Sequence, residues 1–336
     1  MQMQDINQSL KQQSFWPAQF APETIVFHED FDGICSAALL LRYFGTDTRI
    51  EPINYAVKNR WLKRNLSRAA VVDFLYHPDA LWWFDHHVTS FINENLKTSY
   101  IADARHRWDV KYRSCPPLIL DVLQESIDTS SLRDEFREWV RWSDIIDSAL
   151  YNSPHQAVLG EDPCILLNQA LSESRSFDLR RSIVRRIVEG ESPKEIIQAE
   201  DIEMLWKRFR EKQLLALHIM EEKIRIFDSV ALCDITRARL PFVRYGVYLS
   251  APNVLYSVMA YTANRGLEQY YISLSVNPWR TSTLPHANLG YLAKKYGGGG
   301  RETVASIPLK DQMTCSRIAE EIATILASTT STPVEA

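Results

Sequence analysis

Thr24-Ile25-Val26-Phe27-His28-Glu29-Asp30-Phe31-Asp32-Gly33 runs, within ten residues, from an apolar β-type segment into a knot of carboxylates and an imidazole closed by glycine. Thr24 to Phe27 reads as a short strand and Gly33 to Phe44 carries apolar residues at helical spacing, so the stretch spells strand, loop, helix. Downstream, Arg49 to Ile53, Ala69 to Phe74 and Leu81 to Phe84 read as further strands, with the basic stretch Lys58 to Arg68 between the first two. Alternation of this kind predicts a parallel α/β sheet, whose ligands collect in the crevice beyond the carboxyl ends of the strands.

A length of 336 residues is about twice a typical domain of ~150 residues. Hydrophobic residues at 46% and charged residues at 24% sit at the globular average, which excludes a mainly disordered or fibrous chain. Lys and Arg number 38 against 42 acids, a net charge of -4, so no strongly basic surface points to long duplex DNA as the partner. No apolar run approaches the ~18 to 20 residues that span a bilayer, so no membrane span is expected. The glutamine-rich amino terminus lacks the basic-then-apolar order of a secretory signal, and the cytoplasm is the expected compartment. Five widely separated cysteines, Cys35, Cys115, Cys164, Cys233 and Cys315, form no CxxC pair and predict reduced thiols rather than a zinc ribbon or a disulfide framework.

Organisation along the chain divides into a loosely held lead-in over 1–22, a first α/β domain over 23–175, a helical connector over 176–227, a smaller α/β domain over 228–328 and a tail over 329–336. Helices are predicted near Pro116 to Ile127, Ser131 to Ala149, Leu179 to Glu189 and Pro193 to Phe227. In the later domain, Ser229 to Asp234 and Gln269 to Val276 read as strands. Asn253 to Ala263, Ala287 to Tyr296 and Ser316 to Ser328 read as helical. The helical stretch over 154–227 is where a lid or a homodimer contact would be built.

Three groups of residues carry chemistry. In the first, the alternation of His28, Asp30 and Asp32 points all three one way if the chain stays extended, and Gly33 permits a tight entry into the helix. Alone, that cluster is equally well read as an acidic helix cap, with Asp32 as the cap. The second is Asp73, closing the run Ala69-Ala70-Val71-Val72, and the third is Asp85-His86-His87, after Leu81-Trp82-Trp83-Phe84. If those strands are parallel neighbours, the groups meet in one crevice, the geometry of a two-metal site. Oxygen ligands with imidazoles and no thiolate suit Mn²⁺ or Mg²⁺ better than structural zinc, and two Mn²⁺ are expected. Such a pair lowers the pKa of a shared water and polarises a phosphoryl oxygen, so phosphoester hydrolysis is the predicted chemistry.

The series His28-x-Asp30-x-Asp32-Gly33, Asp73, Asp85-His86-His87 resembles the motifs of the DHH phosphoesterase family, and Tyr296-Gly297-Gly298-Gly299-Gly300-Arg301 resembles the glycine-rich loop of the DHH-associated substrate-binding domain. The resemblance spans residues 28 to 301. It implies a catalytic domain over 23–175 and a substrate-binding domain over 228–328. It also implies that His28 and Asp30 hold one metal, Asp32 and His86 the other, and that Asp73 bridges them. Asp85 would orient His86, and His87 would stand near the scissile phosphate as a hydrogen-bond or proton donor. The acid completing the second metal site is either Asp144 or Asp147, which share a helix face at i, i+3. Two departures stand out. Asp73 and Asp85 are separated only by the turn near His77-Pro78-Asp79, and Arg301 takes the place where the family commonly has His.

The glycines would let backbone N–H groups approach an anion, and Arg301 would add a permanently charged fork. Arg280 is placed to grip a second phosphate and Trp279 to stack on a base, although a lone Trp more often belongs to a core. The expected activity is metal-dependent hydrolysis of phosphodiester or phosphomonoester bonds in a nucleotide or short oligonucleotide held between the domains. The near-neutral charge disfavours a RecJ-like processive exonuclease. A non-catalytic nucleotide sensor or scaffold on the same fold is the alternative of a different class.

Overall fold

The computed structural model describes residues 20–238, 240–263, 269–280 and 286–330. These fall into two units, the first comprising the described chain through Leu150 together with Asp162–Trp206, the second comprising Tyr151–Glu161 together with the described chain from Lys207. The lead-in through residue 19 and the tail from residue 331, both singled out from sequence, lie outside the described residues.

The first unit opens with β1 (Thr24–His28), α1 (Phe31–Phe44) and β2 (Arg49–Ile53), then a 3₁₀ turn over Tyr55–Lys63 and β3 (Ala69–Val72). It continues through β4 (Trp82–Asp85), α2 (Glu94–Ser99), β5 (His106–Trp108), α3 (Cys115–Gln124), α4 (Ser130–Glu135) and α5 (Arg137–Asp147). After α6 (Pro154–Leu159), which belongs to the second unit, come α7 (Pro163–Glu173), α8 (Phe177–Val188), α9 (Pro193–Ile197) and α10 (Glu200–Lys223). The five strands form one parallel sheet in the order β2-β1-β3-β4-β5. Ala69, Ala70, Val71 and Val72 are all buried, as a central strand covered on both faces requires.

Helix α1 begins at Phe31, capped by Asp30, whose Oδ1 accepts from the Gly33 amide at 3.0 Å. The cap is therefore Asp30 and not Asp32, and the chain is extended only as far as Asp30. Gly33 has no alternative at this position, because a Cβ there would lie 2.1 Å from the main-chain oxygen of His28. The sheet thus has its helix pressed directly onto the end of β1.

The second unit holds a six-stranded mixed sheet of order β10-β11-β9-β8-β7-β6. Its elements are β6 (Ile224–Phe227), β7 (Val230–Asp234), α11 (Val247–Ser250), β8 (Tyr256–Ala263), β9 (Gln269–Val276), α12 (Leu289–Lys294), β10 (Gly299–Gly300), β11 (Val304–Leu309) and α13 (Gln312–Thr330). Only the β7–β8 pair is parallel among the described residues. One sheet face packs Leu232, Val258, Ile272 and Leu274 against Ile318 and Ile322 of α13. The other packs Ala231, Cys233 and Met259 with Ala216 and Met220 of α10.

The α/β class and the parallel amino-terminal sheet agree with expectation, and several local readings are corrected. Tyr256–Ala263 is a strand and not the helix expected over Asn253 to Ala263, because burial on both faces erases the polar alternation that separates the two. The helix expected over Ser131 to Ala149 breaks at the buried Phe136, which ends α4 and starts α5. That expected over Pro193 to Phe227 is two helices followed by strand β6. Strand β5 was not foreseen. No helix among the described residues is long and apolar enough to cross a membrane.

Candidate metal centre

The register Phe27↔Val72 and Val72↔Phe84 places His28, Asp73 and Asp85 side by side at the carboxyl ends of three adjacent parallel strands. His86 and His87 follow at once. Asp32 reaches the same place from the first turn of α1, its carboxylate accepting from the Cys115 amide at the start of α3 (3.0 and 3.2 Å) and from Ser36 Oγ at 3.4 Å. An anion at a helix amino terminus is held by the unpaired amides of that turn. Asp147 closes the approach from the end of α5.

Two groups of ligand atoms result, joined by Asp73. His28 Nδ1 lies 2.7 Å from Asp30 Oδ2 and 3.6 Å from Asp73 Oδ2. His86 Nε2 lies 3.2 Å from Asp32 Oδ2, 3.5 Å from Asp147 Oδ2 and 3.7 Å from Asp73 Oδ1. Asp73 therefore turns one oxygen to each group. It is fully buried, and its main chain sits in the left-handed region at φ 54°, which aspartate tolerates better than most residues. His28 Nδ1, both Asp73 carboxylate oxygens and His86 Nε2 are buried with no hydrogen-bond partner. Leaving such an atom unsatisfied costs about 1–3 kcal/mol, so four converging on one place call for a shared cation. His28, Asp30 and Asp73, and likewise Asp32, His86 and Asp147, offer ligand atoms within 4.8 Å of one another, a fit for two divalent ions.

Ring orientations agree with that fit. His86 Nδ1 is 3.2 Å from the Tyr112 carbonyl, an oxygen that can only accept, so Nδ1 carries a proton and Nε2 is the ring nitrogen left to serve as a metal ligand. His87 Nδ1 donates to Asp85 Oδ1 at 2.9 Å. Asp85 also accepts from the amides of His86 and His87 (2.8 and 3.3 Å) and from Ser90 Oγ at 2.5 Å. The ring that Asp85 orients is thus that of His87, whereas a main-chain carbonyl orients His86. Trp108 Nε1 completes the loop with a 2.7 Å bond to the His87 carbonyl.

Asp144 and Asp147, inseparable by spacing, part company in three dimensions. Asp147 joins His86 and Asp32, while Asp144 accepts a 2.6 Å bond from Ser114 Oγ.

The electrostatics are those of crowded anions. Burial, then the neighbouring Asp32 and Asp30, holds the Asp73 carboxyl well above the usual carboxylate range. Burial and Asp32 push Asp147 up to about 6. Burial pulls on His86 the other way, but the Asp32 carboxylate outweighs it and raises the imidazole to about 9. Burial keeps the Cys115 thiol, bonded to the Phe84 carbonyl, far above its ordinary value, so it stays protonated and the donor set is oxygen and imidazole.

Within the second unit, the glycine run does something other than expected. Gly297, at φ 77°, and Gly298 donate their amides to the carbonyls of Lys294 and Ala293 (3.2 and 3.0 Å), ending α12. Gly299 and Gly300 form β10, paired with Ser306 and Ala305. The amides of Gly297 and Gly298 are therefore spent on the helix rather than turned to an anion. Arg301 is exposed in the tight turn that follows, its amide bonded to the Val304 carbonyl at 2.7 Å. The Arg280 guanidinium donates to the Asn253 carbonyl. Trp279, half-buried, packs against Tyr245 and Tyr248 at the margin of the core and donates to the Tyr151 carbonyl at 2.7 Å.

Tyr112, Ser90 and the Cys115 amide were missed from sequence. Two of them act through the main chain, where side-chain identity carries no signal, and a serine five positions past Asp85 is too common to stand out.

No protein-family model matches the chain, and no curated protein matches it either. Among solved structures, a pGpG-specific phosphodiesterase, PggH, from Vibrio cholerae superposes with a TM-score of 0.71 at 18% identity, over 91% of this chain and 99% of that one. The DHH domain of a member of a family of ribosomal proteins gives 0.60 at 13% identity, over 96% and 90%. RecJ in complex with Mn²⁺ from Thermus thermophilus gives 0.58 at 10% identity, over 96% of this chain and 54% of that one. Similarity at these identities establishes shared architecture, and on that ground this chain has the fold of these DHH-domain proteins.

Proposed function

We propose that the protein is a metal-dependent phosphoesterase that hydrolyses nucleotides or short oligonucleotides. The observation that carries this reading is the set of buried ligand atoms on His28, Asp73 and His86 that make no hydrogen bond at the carboxyl edge of the sheet. His28 and Asp30 would hold one cation, Asp32, His86 and Asp147 the other, with Asp73 shared. Manganese is the expected metal, and magnesium the substitute, on the oxygen-and-imidazole donor set. A pair of divalent ions supplies Lewis-acid polarisation of a phosphoryl group and activation of water near neutral pH.

The remaining chemistry belongs to the chain. Asp85 fixes the plane of the His87 ring and keeps a proton on its Nδ1, and the same carboxylate raises the basicity of that imidazole against the pull of burial. That arrangement suits a proton donor to the leaving oxygen. Arg301 and Arg280 of the second unit are assigned to phosphate contacts, with the glycines shaping the turn that presents Arg301. Architecture shared with a pGpG-specific phosphodiesterase supports a dinucleotide as the substrate class, as does a net charge of -4, which offers little affinity for long strands.

The test is a panel of linear dinucleotides, 3'-phosphoadenosine 5'-phosphate, cyclic dinucleotides and single-stranded DNA, each with Mn²⁺ and with chelator. Mn²⁺-dependent release of mononucleotide, strongest on dinucleotides, is expected. Nucleotide binding without turnover, unchanged in Asp73→Ala, would instead identify a sensor.

A further inference from the structure

Arg180, on α8, is almost wholly buried at 4% exposure, and among the described residues every hydrogen bond it makes goes to a main-chain carbonyl. Its Nε donates to Glu29 at 3.1 Å, Nη2 to Leu171 at 2.7 Å, and Nη1 to Ser174 and Ser176 at 2.7 and 3.2 Å. Leu171 and Ser174 lie at the carboxyl end of α7, where unpaired carbonyls and the helix dipole favour a cation. Burying a guanidinium is costly, so its placement implies a use for a fork with several donors in fixed directions.

The contact with Glu29 gives that use. Glu29 stands between His28 and Asp30, and its own amide donates to the Ile53 carbonyl at the end of β2 (2.9 Å). With its N–H held by β2 and its C=O held by Arg180, the residue is clamped from both sides. The Glu29–Asp30 peptide plane sets the backbone torsion from which the Asp30 side chain departs, and thereby where Asp30 Oδ2 meets His28 Nδ1. Among the described residues, no comparable tie runs from Arg180 to Asp32, His86 or Asp147.

We propose that Arg180 is a positioning residue for one half of the metal centre, holding His28 and Asp30 in ligating geometry through the Glu29 carbonyl. The proposal rests on the two-metal reading above. It acts through the shape of the guanidinium and not through its charge, so lysine does not replace it.

Mn²⁺ titration of the full chain, followed by the EPR signal of free Mn²⁺ and by calorimetry, separates the possibilities. Wild type is expected to bind two ions. Arg180→Lys, with an unchanged circular dichroism spectrum, is expected to lose about 10- to 100-fold in affinity at one site, the range for a group supporting a metal ligand, while the other site is unchanged. Arg180→Ala is expected to behave likewise, with the weakened site recovering when ethylguanidinium is added. Two wild-type affinities in Arg180→Lys overturn the proposal and leave the phosphoesterase reading standing. Equal loss at both sites, without ethylguanidinium rescue in Arg180→Ala, reduces Arg180 to a structural role and also overturns it. Failure of the wild type to bind two ions sinks both readings at once.

Discussion

The two sheets of this protein treat buried polar atoms in opposite ways. In the second unit, Tyr248 Oη, buried against β9, meets both the carbonyl and the hydroxyl of Ser275 (3.0 and 2.7 Å), and Asn277 Nδ2 donates to the carbonyls of Pro252 and Val254 (3.1 and 2.9 Å). Both of these groups are consumed in holding the fold. At the carboxyl edge of the first sheet, Asp73 keeps both oxygens free of hydrogen bonds, and His28 and His86 each keep a nitrogen so. The contrast shows where the molecule gives up stability, and such places are where a ligand recovers it.

The sharpest way to break the contrast is Asp73→Asn. Because the Asp73 carboxyl is held well above the usual range, its ionised form opposes folding at neutral pH, and the uncharged amide removes that opposition. The metal-free variant is expected to melt higher than wild type, to lose the rise in Tm that Mn²⁺ confers, and to lose more than the ~10³-fold in kcat that removal of one preorganised group costs. A metal-free Tm below wild type would mean that Asp73 supports the apo fold.

Gly33→Ala comes next, since its new Cβ meets the His28 main chain at 2.1 Å. A loss of about 3 kcal/mol in urea unfolding is expected, the upper range for overpacking, together with weaker Mn²⁺ binding because β1 must move. Asp147→Ala should then weaken Mn²⁺ binding by at least ~10-fold. Asp144→Ala should leave that binding alone and cost only the ~1 kcal/mol of its bond to Ser114. Reversal of these two in a titration would move the ligand one turn back along α5. The smallest effect belongs to Gly297→Ala, where there is open space for a Cβ but a left-handed backbone. About 1 kcal/mol of stability should be lost, with Mn²⁺ binding untouched.

The first sheet was largely legible because its strands are short apolar runs ending in conspicuous polar residues. Strand β5 was not, since His106-Arg107-Trp108 is half-buried at the sheet edge and lacks an apolar run. Tyr256–Ala263 was misread because its neighbours bury both faces, information carried by the remote elements that pack on it. Within the candidate centre, letters and spacing showed which side chains to compare. The choice between Asp144 and Asp147 depended on Ser114, about thirty positions away, and the choice of ring held by Asp85 on a carbonyl at Tyr112. Contacts through the main chain leave no mark on residue identity, which is why Arg180 also went unnoticed.

The turn after β3 imposes two filters on one position. Its handedness suits asparagine, aspartate and glycine, whereas the proposed sharing between two cations demands an anionic group. Glutamate passes only the second filter, and asparagine and glycine only the first. Of the twenty amino acids, aspartate alone satisfies both, so a directed library at this single codon should return one active solution.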